Sequence, residues 1–250
     1  MEDNPKVSIC IPVYEMHGQG VSFLKDLLTS VKKQSYANIE IVISDHSKND
    51  EIEKFISSIF MEFIKRQVKL LYYRFKEKYG NSSANMNNTL IHATGEIIKP
   101  MFQDDFFCNN ECIYDIVKSL KDNPGSFWGG VGFIHTNESI GGYYNDQVPY
   151  INKQILTGNN TFGCPTVSFF KKTNLLFDEN LIWLLDCEFY HNLRKNYGNP
   201  IIVKKTEVAI RVWTQSVSYE VSEETKASEG KYVLEKYNET VESLESVPNV

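Results

Sequence analysis

The sequence predicts an α/β fold built on a mostly parallel, doubly wound sheet flanked by helices, with a smaller and less regular second lobe. Two observations carry this. In the first 107 residues, short apolar runs alternate with segments of helical period in the order strand, helix, strand, helix, strand, helix, strand. Three of those runs also end in acids, at Tyr14-Glu15, at Asp45 and at Asp104-Asp105. Right-handed crossovers bring the exits of parallel strands to one edge. Ligands of open α/β sheets bind in the crevice outside that edge.

The elements follow in order. Val7, Ile9, Ile11 and Val13 alternate with Ser8, Cys10 and Pro12, the period of a strand over Lys6–Val13. Pro12 is tolerated near its end, where ladder bonding stops. Val21, Leu24, Leu27, Leu28 and Val31 recur at helical spacing, and Ile39–Ser44 is the second strand. Ile52, Phe55, Ile56, Ile59, Phe60 and Phe63 form the next helical stripe, with Asp50 placed to cap it. Val68–Tyr73 is the third strand. Ser82–Ala93 reads as a helix capped by Ser82 or Ser83 and closed by Gly95 at C′. Ile97–Phe102 is the fourth strand and leads into the acidic pair. Beyond it come a helix over Ile113–Leu120, a glycine-interrupted strand at Phe127–His135 and long loops over 136–165. A short strand at Val167–Phe170, a helix at Asp186–Asn196 and one or two strands within Pro200–Trp213 follow. A polar helix over 220–245 carries a thin stripe of Val233, Tyr237, Val241 and Leu244, which packs on its own chain or on a second copy as a homodimer. The expected organisation is one domain over 1–218, with a nucleotide-binding half at 1–107 and an acceptor half at 108–218, then a helical tail at 219–250.

Composition narrows the function. The 250 residues are 42% hydrophobic and 23% charged, enough to build a core, and the net charge is −6. A phosphate backbone needs clustered Lys and Arg, so nucleic acid is not the expected partner. The five cysteines are too scattered for a disulfide framework or a zinc site and are read as reduced thiols. No apolar run approaches the ~20 residues of a membrane span. With a strand starting almost at once, no signal peptide is expected. A cytoplasmic protein, with peripheral attachment at the inner face of the membrane left open, is the expectation.

Asp104 and Asp105 are the metal candidates. Adjacent carboxylates raise one another's pKa, and a bound cation relieves this. Hard oxygen ligands suit Mn²⁺ or Mg²⁺, with nucleotide phosphates completing the shell. Tyr14 at a strand exit either stacks on a base or packs on the next helix, and Glu15 can accept from a ribose or base. Asp45 faces the crevice, where a buried carboxylate accepts from a uracil-type N–H. Asp186, in Asp186-Cys187-Glu188, either serves its own helix start or acts as general base for an acceptor hydroxyl. Neither a dinucleotide fingerprint nor a phosphate-loop spacing occurs, and no G-x-S-x-G is present.

In this order the motifs resemble the family 2 glycosyltransferases of GT-A fold. Val7-Ser-Ile-Cys-Ile-Pro-Val-Tyr14-Glu15 is similar to their first strand, and Ile39-Glu-Ile-Val-Ile-Ser44-Asp45 to their second. Asn87 and Ala93-Thr94-Gly95-Glu96 resemble the approach to their D-x-D-type motif, which Gln103-Asp104-Asp105 resembles in turn. Gly158–Pro165, Val167–Lys171, Leu185–Glu188 and Arg211–Ser218 resemble acceptor-side segments. The resemblance implies that Pro12, Tyr14, Glu15, Asp45, Asn87 and Asp104 line the site of a nucleotide-sugar donor, with a UDP-sugar expected. It implies that Asp105, with Asp104, binds the metal and that Asp186 deprotonates the acceptor in one inverting displacement. A glycan or lipid-linked glycan acceptor, in surface polysaccharide or lipopolysaccharide synthesis, follows by analogy. Three positions depart from the pattern. Ser44 replaces a second acid, Met86 an Arg, and Trp213 a His near the metal. Two other readings stand beside this one. A sugar nucleotidyltransferase would need a Gly- and Arg-rich loop that is missing, and a degenerate glycan-binding domain would turn over no donor.

Overall fold

The computed structural model describes residues 4–137, 141–215 and 221–240. Strands β1 (Val7–Val13), β2 (Ile39–Asp45), β3 (Lys69–Arg74) and β4 (Ile97–Pro100) are mutually parallel. Helices α1 (Gly20–Val31), α2 (Glu51–Lys65) and α3 (Ser82–His92) connect them. Then come β5 (Phe106–Phe107), α4 (Cys112–Asp122), β6 (Trp128–Thr136), β7 (Tyr144–Gln147), β8 (Ser168–Lys171), α5 (Leu185–Tyr197), β9 (Ile201–Arg211) and α6 (Glu223–Tyr237). The strands form one sheet in the order β3-β2-β1-β4-β8-β6-β9-β5, with β7 paired to β6. β8 runs antiparallel between β4 and β6, so β6 and β9 regain the direction of β1–β4. This is the mixed, mostly parallel sheet the sequence predicts, and the two halves share it rather than forming separate layers.

The strand pattern has a direct cause. β1 and β2 are buried at every position, as expected of strands covered on both faces by helices. Pro12 costs little because the β4 ladder on β1 already ends at Cys10. Two capping expectations are corrected. Asn81, not Ser82 or Ser83, caps α3, its side chain accepting from the Ala84 N–H. Asp50 makes no capping bond and pairs with Lys54 instead. Gly95 is also not a left-handed helix stop. A Cβ there would lie 2.6 Å from Ser8 Oγ and 2.7 Å from the Lys6 carbonyl, so the residue is small because β1 passes against it.

The region 136–165 is more ordered than its composition suggests, with β7 and a 3₁₀ turn at Ile155–Thr157. Pro200–Trp213 resolves into the single strand β9. α6 is not a free tail. Val233 is fully buried, and Leu234 and Tyr237 pack on the core of the same chain; Val241 and Leu244 lie outside the described residues. The five cysteines are free thiols. Among the described residues, no helix is long and apolar enough to cross a membrane.

Candidate active site

The site lies along the carboxyl edge of β1, β2 and β4, closed from the far side by the end of β9 and the loop before β8. At the exit of β1, the Tyr14 N–H donates to Gln103 Oε1 at 2.9 Å, and Gln103 Nε2 donates to the Gly20 carbonyl at 2.6 Å. Gln103 is buried and so ties the β1 exit and the start of α1 to the acidic pair beside it. Glu15 accepts from the Lys48 N–H at 3.2 Å, which links the β1 and β2 exits.

At the exit of β2, Asp45 is fully buried. It accepts from the Ser47 N–H at 2.7 Å, from the Tyr72 hydroxyl and from Arg74 Nη1 at 3.2 Å. The parallel register sets Arg74 opposite Asp45, so β3 supplies the counter-charge. Charge-assisted bonds of this kind are stronger than neutral ones and fix both side chains in place. The Arg74 Nε is a buried donor with no protein partner.

Asp104 and Asp105 diverge. Asp105 is 2% exposed, and both of its oxygens are engaged by protein donors. Oδ1 accepts from the Arg211 N–H at 3.0 Å, and Oδ2 from the Thr166 hydroxyl and the Cys164 thiol. Asp104 is half-buried and accepts from Trp213 Nε1 at 3.0 Å through Oδ2. Burial raises the pKa of both carboxyls, and the Asp104 charge raises Asp105 further. Two adjacent desolvated acids favour a cation between them and the ligand. Among the described residues no three His, Cys, Asp or Glu side chains converge as a metal cage. The donor set therefore suits a divalent ion held by one carboxylate with substrate phosphates, the mode Mg²⁺ commonly uses. Asp104 is the less enclosed of the two carboxylates. Both of Asp105's oxygens meet protein donors, through which it fixes the end of β9 and the loop before β8.

Asp186 sits half-buried in the first turn of α5. Asn160 Nδ2 donates to its Oδ2 at 2.8 Å, and the Cys187 N–H donates to its Oδ1 at 2.7 Å. Burial pushes its carboxyl up to about 6, against the pull of these donors. The loop that holds it also reaches the acidic pair. Asn160 Oδ1 accepts from the Phe162 and Gly163 N–H groups at 3.0 Å, and a few residues on, Cys164 and Thr166 contact Asp105. Thr166 Oγ1 further accepts from the Phe102 N–H at 2.9 Å. Gly163 permits the tight path at φ +96°, and Tyr190 holds its carbonyl at 3.1 Å. One short loop thus couples Asp186 to Asp104-Asp105.

Three of the residues singled out in the sequence are enclosed by the protein. Asn87 is 3% exposed and exchanges amide bonds with the Phe177 backbone at 2.8 and 2.9 Å. On the same helix Asn85, also buried, donates to the Val13 carbonyl at the end of β1 at 3.1 Å, with its own Oδ1 unpartnered. Pro12 is buried within the sheet and serves it structurally. Glu188, the other acid of the Asp186-Cys187-Glu188 segment, is fully buried and bonded to Lys236 and Tyr237 of α6. Gln103, Arg74, Asn160, Thr166 and the Arg211 N–H were not marked by sequence reasoning as site groups. The three departures are absorbed. Ser44 Oγ accepts from Asn88 at 2.8 Å, Met86 is core, and Trp213 gives Asp104 the N–H donor the loop would otherwise lack.

A mixed, mostly parallel sheet flanked by helices, with acids gathered at its carboxyl edge, is the architecture of GT-A transferases. A family model described as glycosyl transferase family 2 matches residues 8–183, and the chain belongs to that family. It is 29% identical over 166 residues to a UDP-Glc:α-D-GlcNAc-diphosphoundecaprenol β-1,3-glucosyltransferase of Escherichia coli, covering 66% of this chain and 60% of that protein. It is 30% identical over 151 residues to an uncharacterized glycosyltransferase of Rickettsia conorii, covering 59% of this chain and 23% of that one. The chain therefore spans under two thirds of the length of either relative. Staphylococcus aureus TarS in complex with UDP-GlcNAc superimposes with a TM-score of 0.67 over 96% of this chain and 69% of TarS, at 19% identity. A Pyrobaculum calidifontis mannosyltransferase in complex with GDP-Man and Mn²⁺ does so with a TM-score of 0.64 over 86% of this chain and 59% of that one, at 16% identity.

Proposed function

We propose that this chain transfers a sugar, with inversion, from a UDP-sugar to a hydroxyl of a glycan acceptor, lipid-linked and bound for a surface polysaccharide. The observation that carries the proposal is the loop from Asn160 to Thr166, which bonds the half-buried, raised-pKa carboxyl of Asp186 at one end and Asp105 of the acidic pair at the other. The UDP-GlcNAc seen in TarS and the UDP-Glc named for the E. coli relative support the choice of nucleotide. The diphosphoundecaprenol of that relative supports the lipid-linked acceptor.

In this reading Tyr14 and the Asp45–Arg74 pair hold the base, with Glu15 nearby. Asp104 holds Mn²⁺ or Mg²⁺, which when bound offsets the charge of the diphosphate leaving group. Asp105 acts through others, fixing Arg211, Thr166 and Cys164 around that ion's position. Asp186 accepts the acceptor's hydroxyl proton as the oxygen bonds to the anomeric carbon. The bond from that carbon to the phosphate oxygen breaks, and UDP leaves with the electron pair. A base near pKa 6 is well matched to this at neutral pH.

A protonated Asp186 cannot take the proton, so turnover falls as pH drops through about 6. The check is UDP release from UDP-sugars between pH 5 and 8, at saturating Mn²⁺. A rate independent of pH down to 5 would contradict the assignment of Asp186.

A further inference from the structure

We infer that Glu229, on the C-terminal helix α6, is a positioning residue for Asp186 that caps the catalytic helix from outside. The family match ends at residue 183, so α6 lies wholly beyond it. α5 begins after Leu184, whose side chain offers no acceptor, and no local side chain caps it. A helix start leaves backbone N–H groups that need partners. Glu229 satisfies the first of these, the N–H of the N-cap residue Leu184, from 45 residues away, and it also holds the two amides of the turn leading into the helix. Its Oε1 accepts from the Ile182 N–H at 2.8 Å, and its Oε2 from the Trp183 and Leu184 N–H groups at 3.0 and 2.9 Å. Glu229 is 6% exposed, so water does not compete well for these bonds. Asp186 follows two residues after the last of these amides, and its backbone position depends on that turn.

The rest of α6 seats this cap. Lys236 bonds Asp178 at 2.7 Å and Glu188 at 2.8 Å, and Tyr237 also bonds Glu188. The Tyr232 hydroxyl donates to Asp178 at 2.8 Å, and Lys226 lies 5.7 Å from the Trp183 ring centre. α6 therefore grips the segment 178–188 before, within and after the turn that delivers Asp186. An anionic cap at a helix N-terminus is favourable in itself. Here it also keeps Asp186 in its half-buried setting and so sustains its high pKa.

The test reads Asp186 directly, by carboxyl NMR titration of the full chain in wild type, Glu229→Gln and Glu229→Ala. Lys231→Ala, on the exposed face of α6, is the control. Groups facing Asp186 do not confuse the reading. Burial pushes up the Cys164 and Cys187 thiols and the Tyr190 phenol, which stay neutral near pH 6, and Asn160 carries no charge. From α6, Glu229 itself brings the charge, with Lys226 over Trp183. Losing the cap frees the turn and solvates Asp186, so its titration moves down toward the ordinary carboxylate range in Glu229→Ala. UDP affinity in Mn²⁺ stays within about twofold, while UDP release from UDP-glucose falls about tenfold or more. Glu229→Gln, which keeps one acceptor oxygen, falls between, and it decides the matter where the Ala variant fails to fold. An unmoved Asp186 titration overturns the inference, as does loss of UDP binding in step with the rate. The inference rests on Asp186 as the base. Wild type that binds UDP yet releases none from any UDP-sugar would count against that role, while the titration would still decide the cap.

Discussion

Asp186→Asn is expected to leave UDP binding unchanged and to cut transfer by about 10²–10⁴-fold, the usual contribution of a positioned general base. The substitution is close to isosteric. An Asn side chain can still accept from the Cys187 N–H through its carbonyl oxygen, so the first turn of α5 keeps its shape. What is lost is the only feature of that carboxylate that matters to the reaction, its ability to take a proton. Asp186 makes no hydrogen bond to Asp104 or Asp105 and is linked to them through Asn160 and the loop that reaches Cys164, so the proposed nucleotide side is expected to be untouched. Calorimetry with UDP and a UDP-release assay separate the two quantities. Full transfer by Asp186→Asn would remove the base from α5 altogether, because Glu188 is already committed to Lys236 and Tyr237.

The second large effect separates two neighbours that look alike in sequence. Asp104→Asn is expected to lower Mn²⁺-dependent UDP affinity by about 100-fold or more, with little change in stability. Asp105→Asn is expected to act through the fold. An amide nitrogen placed among the Arg211 N–H, the Thr166 hydroxyl and the Cys164 thiol sets donor against donor in a buried site. Each such conflict costs about 1–3 kcal/mol. Thermal unfolding of the two variants beside metal-dependent UDP titration makes the distinction. The reverse pattern, with Asp105→Asn stable and unable to use Mn²⁺ while Asp104→Asn binds normally, would return the metal to Asp105.

The difference between those two residues explains what could be read from the chain and what could not. Periodicity placed β1 to β4 and the acids at their exits, because an alternating or continuous apolar run is a local property. Which oxygen faces the crevice is not local. Asp105 is turned inward by Thr166 and Arg211, and these lie 61 and 106 residues away in sequence. The same holds for Arg74. It meets Asp45 only because the β2–β3 register sets them side by side, and no spacing in the sequence announces a register. Asn87 shows the same limit from the other side. Its position in a family motif is legible, but the Phe177 backbone that meets its amide is not. Gln103 carries a readable signal, a long amide next to the acidic pair, but a polar group at a strand exit can face ligand or tie loops, and only the bonds to Tyr14 and Gly20 decide for the second. Trp213 shows a departure that proved compatible with the site, since an indole N–H donates to Asp104 much as an imidazole N–H would.

The central claim is that the acidic crevice at the ends of β1, β2 and β4 takes a uridine diphosphate with a divalent ion. Calorimetric titration of the protein with UDP, GDP and dTDP, each with and without Mn²⁺, tests it most directly. The expected result is tight binding of UDP that needs Mn²⁺, with GDP and dTDP clearly weaker. Binding of none of the three, or equal binding with and without the metal, would contradict it.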